Sequence, residues 1–226
     1  MRVLVVDTAL GLCTVGLFEA GTGAVRCLGL RSEPMSKGHS ERVAGFARDA
    51  MREAGSGFDA IDRIGVTVGP GSFTGLRVGL AFAQGLGAAL DRPVVGVSSL
   101  DALAASVGPG PVAALIDARR GQVYARFVEN GVASGPDEAL SLDLAAARIG
   151  RMPAGGRLIG SGAALFAEAF PDLTAEPRAG PDPGALARLV AAADPATAPP
   201  RPLYLRAPDA VPPTRLPGQA RPARPS

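Results

Sequence analysis

Short apolar runs separated by glycine-bearing turns open the chain. Residues 2–7, 13–19 and 24–30 are rich in Val, Leu and Phe, and the Gly-containing turns between them suit three strands of an antiparallel meander. In 37–54 the residues Val43, Phe46, Ala47, Ala50, Met51 and Ala54 recur at helical spacing, and Gly55 stands where a C-cap glycine belongs. The run 63–68 reads as a buried strand, 72–90 as a second helix and 93–97 as a further strand. The order is therefore β-β-β-α-β-α, followed by a strand.

A weaker copy of this order follows. Strands are predicted at 112–117, 122–128 and 131–134, a helix at 142–149, a strand at 157–159, and a helix capped by Ser161 and stopped by Pro171. Laying VVDTALGLCTVGLF over LIDARRGQVYARF puts Asp7 on Asp117 and Gly11 on Gly121, each pair at one common offset. Together these patterns favour an α/β duplication. The expected division is a first lobe at 1–98, a smaller second lobe at 99–206, and a tail at 207–226. A last helix starts with Asp182 as cap and Pro183 at its first position, and ends before Pro195. Six prolines and three arginines crowd the twenty residues after Arg206, a composition expected to be disordered.

The densest pattern is VGPGSFTGLRVGLAFAQGLGAAL at 68–90. Gly69 and Gly71 flank Pro70 in a sharp turn, and Ser72 or Thr74 can cap the helix that follows. Gly75, Gly79, Ala83 and Gly87 then form an unbroken row at four-residue spacing. A glycine inside a helix costs roughly 1 kcal/mol relative to alanine, so three in one row call for close approach by another backbone. Ala81, Gly85, Ala88 and Ala89 make the other sides apolar or small as well, so a packed helix would still present an uncovered face.

Composition narrows the classes. Hydrophobic residues make up 47% of the 226, enough for a core, but aromatics are 4% and tryptophan is absent, so Ala, Val, Leu and Ile must fill it. A net charge of +2, a single lysine (Lys37) and no run of five basic residues argue against a dedicated nucleic-acid surface. The chain begins directly on a strand, and its longest apolar segment, 78–90, is interrupted by Gln84 and too short for a bilayer. A cytoplasmic protein without a membrane span is expected. Cys13 and Cys27 show no metal-ligand spacing and read as reduced thiols.

Several residue sets suggest chemistry. Gly69, Gly71 and Ser72, with Arg77 nearby, could cradle a phosphate at a helix N-terminus, but Leu76 and Arg77 follow Gly75 where a P-loop needs Lys then Ser or Thr. A tight structural turn is the weightier reading. Asp7 with Thr8, and Asp117, end strands where a metal-bound phosphate could be met, yet Asp at a strand end is also ordinary turn chemistry. Weak ATP or ADP binding stays open there, and turnover is not expected. His39 is the only histidine, too few for a metal site. Ser72 lacks the G-x-S-x-G elbow of a hydrolase.

Five blocks in register carry a resemblance: MRVLVVDTALGLCTVGLFEAG at 1–21, GHSERV at 38–43, GPGSFTGLRVGLAFAQGLG with PVVGVSSLDALA, IDARRGQVYARF at 116–127, and PLYLRAPDA at 202–210. They resemble the TsaB (YeaZ) family of bacterial tRNA-modification proteins. The resemblance implies a two-lobed fold of the actin, sugar kinase and Hsp70 type, ribonuclease H-like, each lobe β-β-β-α-β-α. It also implies a non-catalytic subunit for threonylcarbamoyladenosine formation beside the tRNA anticodon. Such a subunit binds and activates the catalytic TsaD, joined by the ATPase TsaE, and reaches tRNA only through that complex.

In this family the two first-lobe helices join the equivalent pair of TsaD in a four-helix interface, or pair with themselves in a homodimer. The residues carried over as partner-facing are Val43, Phe46, Ala47, Ala50, Gly75, Gly79, Ala83 and Gly87. TsaD has two metal-binding histidines four apart on the helix matching 37–54, whereas Val43 stands four after His39 here, so the resemblance implies no metal, no required cofactor and no catalytic residue. The rival readings are an ATP-dependent kinase or ATPase of this fold, and a peptidase.

Overall fold

The structure, a computed structural model, describes residues 1–22 and 24–206. The expected tail at 207–226 lies outside the described residues. Two five-membered strand sequences dominate. In the first sheet β1 (Arg2–Asp7), β2 (Leu12–Ala20) and β3 (Val25–Pro34) form the antiparallel meander, and β4 (Arg63–Gly69) and β5 (Val94–Ser98) add in parallel beside β1, giving the order β3-β2-β1-β4-β5. In the second, β6 (Val112–Asp117), β7 (Gln122–Glu129) and the short β8 (Val132–Ala133) repeat the antiparallel part. There β10 (Arg157–Ile159) and β11 (Thr174–Glu176) repeat the parallel part.

The two sheets thus share one topology, and β1 and β6, which end in Asp7 and Asp117, occupy its centre. This is the ribonuclease H-like, actin-type duplication expected from the sequence. The meander precedes the parallel strands because hairpins close antiparallel neighbours, whereas a parallel neighbour needs a crossover, here a helix in the first lobe.

The helices α1 (His39–Glu53) and α2 (Phe73–Leu90) cover one face of the first sheet. Val43, Phe46, Ala47 and Met51 pack there with Leu4, Val6, Val15 and Val66. The expected 37–54 helix starts later because Gly38 takes a left-handed φ of 84° and β3 runs on to Pro34. Ser98 caps a short α3 (Ser99–Ala104) that links the lobes.

In the second lobe α4 (Leu142–Ile149) follows β9 (Glu138–Ser141), a strand that takes over from β8 in pairing with β7. The predicted helix after Ser161 is only a single 3-10 turn at Ala163–Leu165. Gly162 is pinned against Leu115, and the bonds that follow span three residues instead of four.

α5 (Pro183–Ala192) returns to the first sheet. Leu186, Ala187 and Val190 bury against Val3, Val5, Val95 and Val97 on the face opposite α1 and α2. The Arg63 guanidinium donates to the carbonyls of Val190, Ala191 and Ala193, at 2.9, 3.3 and 2.7 Å, and so fastens the helix end. The segment 194–206 then runs back along β5 and α2, so packing joins 183–206 to the first sheet although the chain reaches it after the second.

By length and composition α2 could cross a membrane. Its Gly75, Leu76, Gly79, Leu80, Ala83 and Gly87 are nevertheless buried within the fold. Cys13 pairs with Glu33 and Cys27 with Phe18 across the β2–β3 ladder, which separates the two thiols along the strands.

Candidate functional site

Two concave regions concern the predicted residues. One is a cleft of about 530 Å³ between the lobes, lined by Leu10, His39, Ser72, Asp117, Tyr124 and Ser161 among others. The other is a groove of about 530 Å³ on the outer side of α1 and α2.

The cleft is built from the turn after β1, the start of α2 and the turn after β6. Asp7 is buried beneath it, and its Oδ1 accepts from the Thr67 hydroxyl at 2.6 Å and the Ala9 N–H at 3.0 Å. Burial pushes the Asp7 carboxyl above its ordinary value, against the opposing pull of those two donors and of His39. Its Oδ2 and the Nε2 of buried His39 have no hydrogen-bond partner.

The turn itself is closed by its own contacts. Gly11 N–H donates to the Ala179 carbonyl at 2.8 Å, and the Ser72 N–H donates to the Ala9 carbonyl at 2.7 Å. Thr8 Oγ1 donates to the Gly75 carbonyl at 2.7 Å, deep against α2. Ser72 caps α2 by accepting the Gly75 N–H at 3.2 Å. Gly69 has a φ of 107° and lies against the Leu203 carbonyl, while Gly71 lies against that of Ala9.

Across the cleft Asp117 accepts the Arg119 N–H at 2.8 Å, and the Arg119 guanidinium stands 3.5 Å away. Five of the six nucleotide candidates, Asp7, Thr8, Gly69, Gly71 and Ser72, therefore fall near one wall, and Arg77 does not. Arg77 lines the outer groove, where its guanidinium carbon stacks 3.8 Å over the Phe73 ring. Burial also pushes the thiol of Cys13, which sits beside this wall, up to about 11. Among the described residues no group of three His, Cys, Asp or Glu side chains is placed to hold a metal.

The eight residues expected to face a partner sit inside the lobe. Val43, Phe46, Ala47 and Ala50 are core residues, and Gly75, Gly79, Ala83 and Gly87 turn toward the sheet. A Cβ on Gly75 would strike the Thr8 carbonyl, one on Gly79 the Thr8 hydroxyl, and one on Gly87 the Val94 side chain. The close approach inferred for this row comes from within the chain: the backbone of the turn after β1 at Gly75, the Thr8 side chain at Gly79, and the start of β5 at Gly87.

The outward face of the same two helices carries Ser40, Ala44, Phe73, Val78, Ala81 and Phe82, and of the eight predicted residues Val43 also lines the groove there. Ala44 and Ala81 are exposed, and Phe73 is 50% exposed. Sequence reasoning chose the regular stripe because regularity marks burial. The signal for the outer residues was the apolar character of α2 off that stripe.

Comparison with known proteins adds to this geometry. Residues 27–146 match the family model described as TsaD, tRNA N6-adenosine threonylcarbamoyltransferase. The chain is 35% identical over 144 residues to the tRNA threonylcarbamoyladenosine biosynthesis protein TsaB of Escherichia coli. That alignment covers 61% of this chain and 60% of the E. coli protein. An uncharacterized protein of Mycobacterium tuberculosis is 38% identical over 211 residues, covering 93% of this chain and 94% of its own. Among solved structures, YeaZ from Pseudomonas aeruginosa superposes with a TM-score of 0.70 at 28% identity, covering 90% of this chain and 99% of that one.

Proposed function

From the premise that this chain belongs to the TsaB/YeaZ family, we propose that it is a non-catalytic subunit for threonylcarbamoyladenosine formation in tRNA. It acts in the cytoplasm by docking and activating a TsaD-type transferase, with a TsaE-type ATPase joining the assembly. The observation that carries this reading is the uncovered apolar groove between α1 and α2. Alanine and phenylalanine on an outer helix face are most simply accounted for by a partner that buries them. On the cleft side the Ala9 and Gly11 N–H groups of the turn after β1 are already donated to Asp7 and Ala179, which leaves that turn fewer free donors for a phosphate and supports an accessory role.

Membership of a tRNA-modification family does not require this chain to grip tRNA. Its charge of +2 offers little for phosphate neutralisation, so the complex supplies the contact. The test is reconstitution of threonylcarbamoyl transfer to tRNA with TsaD-type and TsaE-type proteins, with and without this chain. Transfer is expected to depend on it. Equal transfer in its absence would overturn the reading. Phosphate release by the isolated chain that vanishes in Asp7→Asn would favour the ATPase alternative, and peptide cleavage lost in Ser72→Ala the peptidase.

A further inference from the structure

One concavity shares no lining residue with the cleft or with the α1/α2 groove. It is a cavity of about 410 Å³ in the second lobe, where the start of β6 meets the ends of β7 and α4. Strand alternation places Val123, Ala125, Phe127 and Glu129 of β7 on the face that α4 covers. Val123 and Ala125 are buried with Ala145 and Ile149 of the helix. But α4 has only 8 residues, and its last turn brings Arg148 over Phe127 where an apolar side chain would have closed the core.

The walls of this cavity are fixed by the fold. The Arg148 guanidinium carbon stands 5.8 Å from the centre of the Phe127 ring, and both terminal nitrogens donate to the Glu138 carboxylate of β9. Past the helix end the chain keeps turning tightly: the Arg151 N–H donates to the Arg148 carbonyl at 3.0 Å and the Met152 N–H to that of Ile149 at 2.9 Å, so both residues line the cavity. The Ser134 N–H donates to the Phe127 carbonyl at 2.9 Å and holds the 134–136 loop as a further wall.

Floor and rim differ in chemistry. Phe127 and Met152 are half-buried members of the second-lobe core and supply an apolar floor. The rim carries two guanidinium groups, Arg148 and Arg151, and two carboxylates, Glu129 and Glu138, so its formal charge cancels. Arg148 and Glu138 are committed to each other, whereas the side chains of Arg151 and Glu129 have no hydrogen-bond or ion-pair partner among the described residues. One uncommitted charge of each sign is therefore left beside an apolar floor.

We propose that this cavity binds a zwitterionic small molecule with a ring, an aromatic α-amino acid. Arg151 meets its carboxylate, Glu129 its ammonium, and the ring lies against Phe127 and Met152. A simple anion would meet Glu129 as a like charge and a simple cation would meet Arg151 so, whereas a dipolar molecule answers both. A ring suits the floor because aromatic side chains stack offset or edge to face, and thioethers pack at ring edges. The volume lies within the roughly 300–1,000 Å³ of small-molecule sites. The Arg148–Glu138 pair sets one wall before a ligand arrives, which lowers the ordering cost of binding. The proposal goes beyond the docking role given above, and neither depends on the other.

The experiment is a calorimetric titration of the full chain with L-phenylalanine, with heteronuclear NMR of the same mixture. Saturable binding with a Kd below about 1 mM is expected. The amide resonances that shift should be those of 111–112, 127–129, 134–138 and 148–153. Phenylpropionate, which lacks the ammonium, and phenethylamine, which lacks the carboxylate, should each bind at least roughly tenfold more weakly. L-serine, which keeps both charges without the ring, should lose as much.

Arg151→Gln should abolish the preference for phenylalanine over phenethylamine, and Glu129→Gln the preference over phenylpropionate. Both side chains are exposed, so both variants should melt within about 2 °C of the parent. Absence of saturable phenylalanine binding would overturn the proposal, as would resonance shifts centred elsewhere. Equal binding of the singly charged analogues, or preferences that survive both substitutions, would overturn it as well.

Discussion

Replacing Gly75 and Gly85 by alanine, one at a time, tests which side of α2 the fold uses. Both lie inside the same helix, so each substitution gains about 1 kcal/mol of helix propensity. At Gly85 a Cβ meets nothing within 4 Å, and the full gain should appear as a rise in melting temperature of about 2–4 °C for a chain of this size. At Gly75 the new carbon would fall 2.0 Å from the Thr8 carbonyl oxygen. Main chain cannot swing aside as a side chain can. The neighbouring Ala9 carbonyl accepts the Ser72 N–H at 2.7 Å and the Thr8 hydroxyl is bonded to Gly75 itself, so the whole turn would have to move.

Overpacking of this kind costs about 1–3 kcal/mol, and disturbing the Thr8 bond adds about 1 kcal/mol. After the propensity gain, Gly75→Ala should be destabilised by about 1–3 kcal/mol, leaving the two variants some 2–4 kcal/mol apart. Calorimetric melts or urea titrations read this directly. Gly75→Ala melting with or above Gly85→Ala would show that the glycine row does not pack on the turn after β1. The same geometry means that Gly79→Leu tests folding and is no clean probe of docking.

Other consequences are simpler to state. Asp7 has its carboxyl raised above 3.8 by burial, so the folded chain holds that proton more tightly than the unfolded one, and stability should fall as pH rises from about 3.8 through the folded value. Asp7→Asn should flatten this slope in urea midpoints measured between about pH 4 and 7; an unchanged slope would assign it to other groups. Arg126 reaches Asp137 at 2.6 Å and Asp101 at 2.5 Å, tying α3 to the second sheet, with Asp137 nearly buried. Arg126→Met should cost about 3 kcal/mol by leaving the two carboxylates unpaired, and the further change Asp137→Asn should recover part of it. Ala81→Glu on the outer groove should weaken the TsaD-type complex while the melting temperature stays within about 2 °C, since the site is exposed.

Much of the fold could be read in the sequence because burial writes periodicity. The continuous apolar runs of β1 and β2, the α1 stripe and the Ser72 and Asp182 caps each report a local rule that the structure keeps. The second lobe was less legible. β9 is four residues following Pro136 and Asp137, and its pairing with Gln122–Ala125 of β7 is a long-range fact that no local pattern carries. The expected helix after Ser161 has good helix formers, yet Ala163 and Phe166 must both reach the core from the short span between β10 and β11, and the chain turns more tightly. The return of α5 to the first sheet was hidden for a related reason. Its stripe of Ala185, Leu186 and Val190 says that it is buried and not against which sheet.

The candidate sites fail and succeed along the same line. The glycine row was read correctly as a place of close approach and assigned to the wrong neighbour, because a Cβ-free row says only that some backbone is near. The turn after β1 occupies that space, supplying the Thr8 carbonyl to Gly75 and the Ala9 carbonyl to Gly71. The turn commits the Thr8 hydroxyl to the Gly75 carbonyl of α2 and the Ala9 N–H to its own Asp7 carboxylate. The uncovered apolar surface lies on the other side of the same helix, where Phe73 and Ala81 are exposed and half-buried Phe82 lines the groove. One helix therefore packs its small residues into the lobe, Gly75 against the turn after β1 and Gly87 against β5, and leaves Phe73 and Ala81 exposed on its other side.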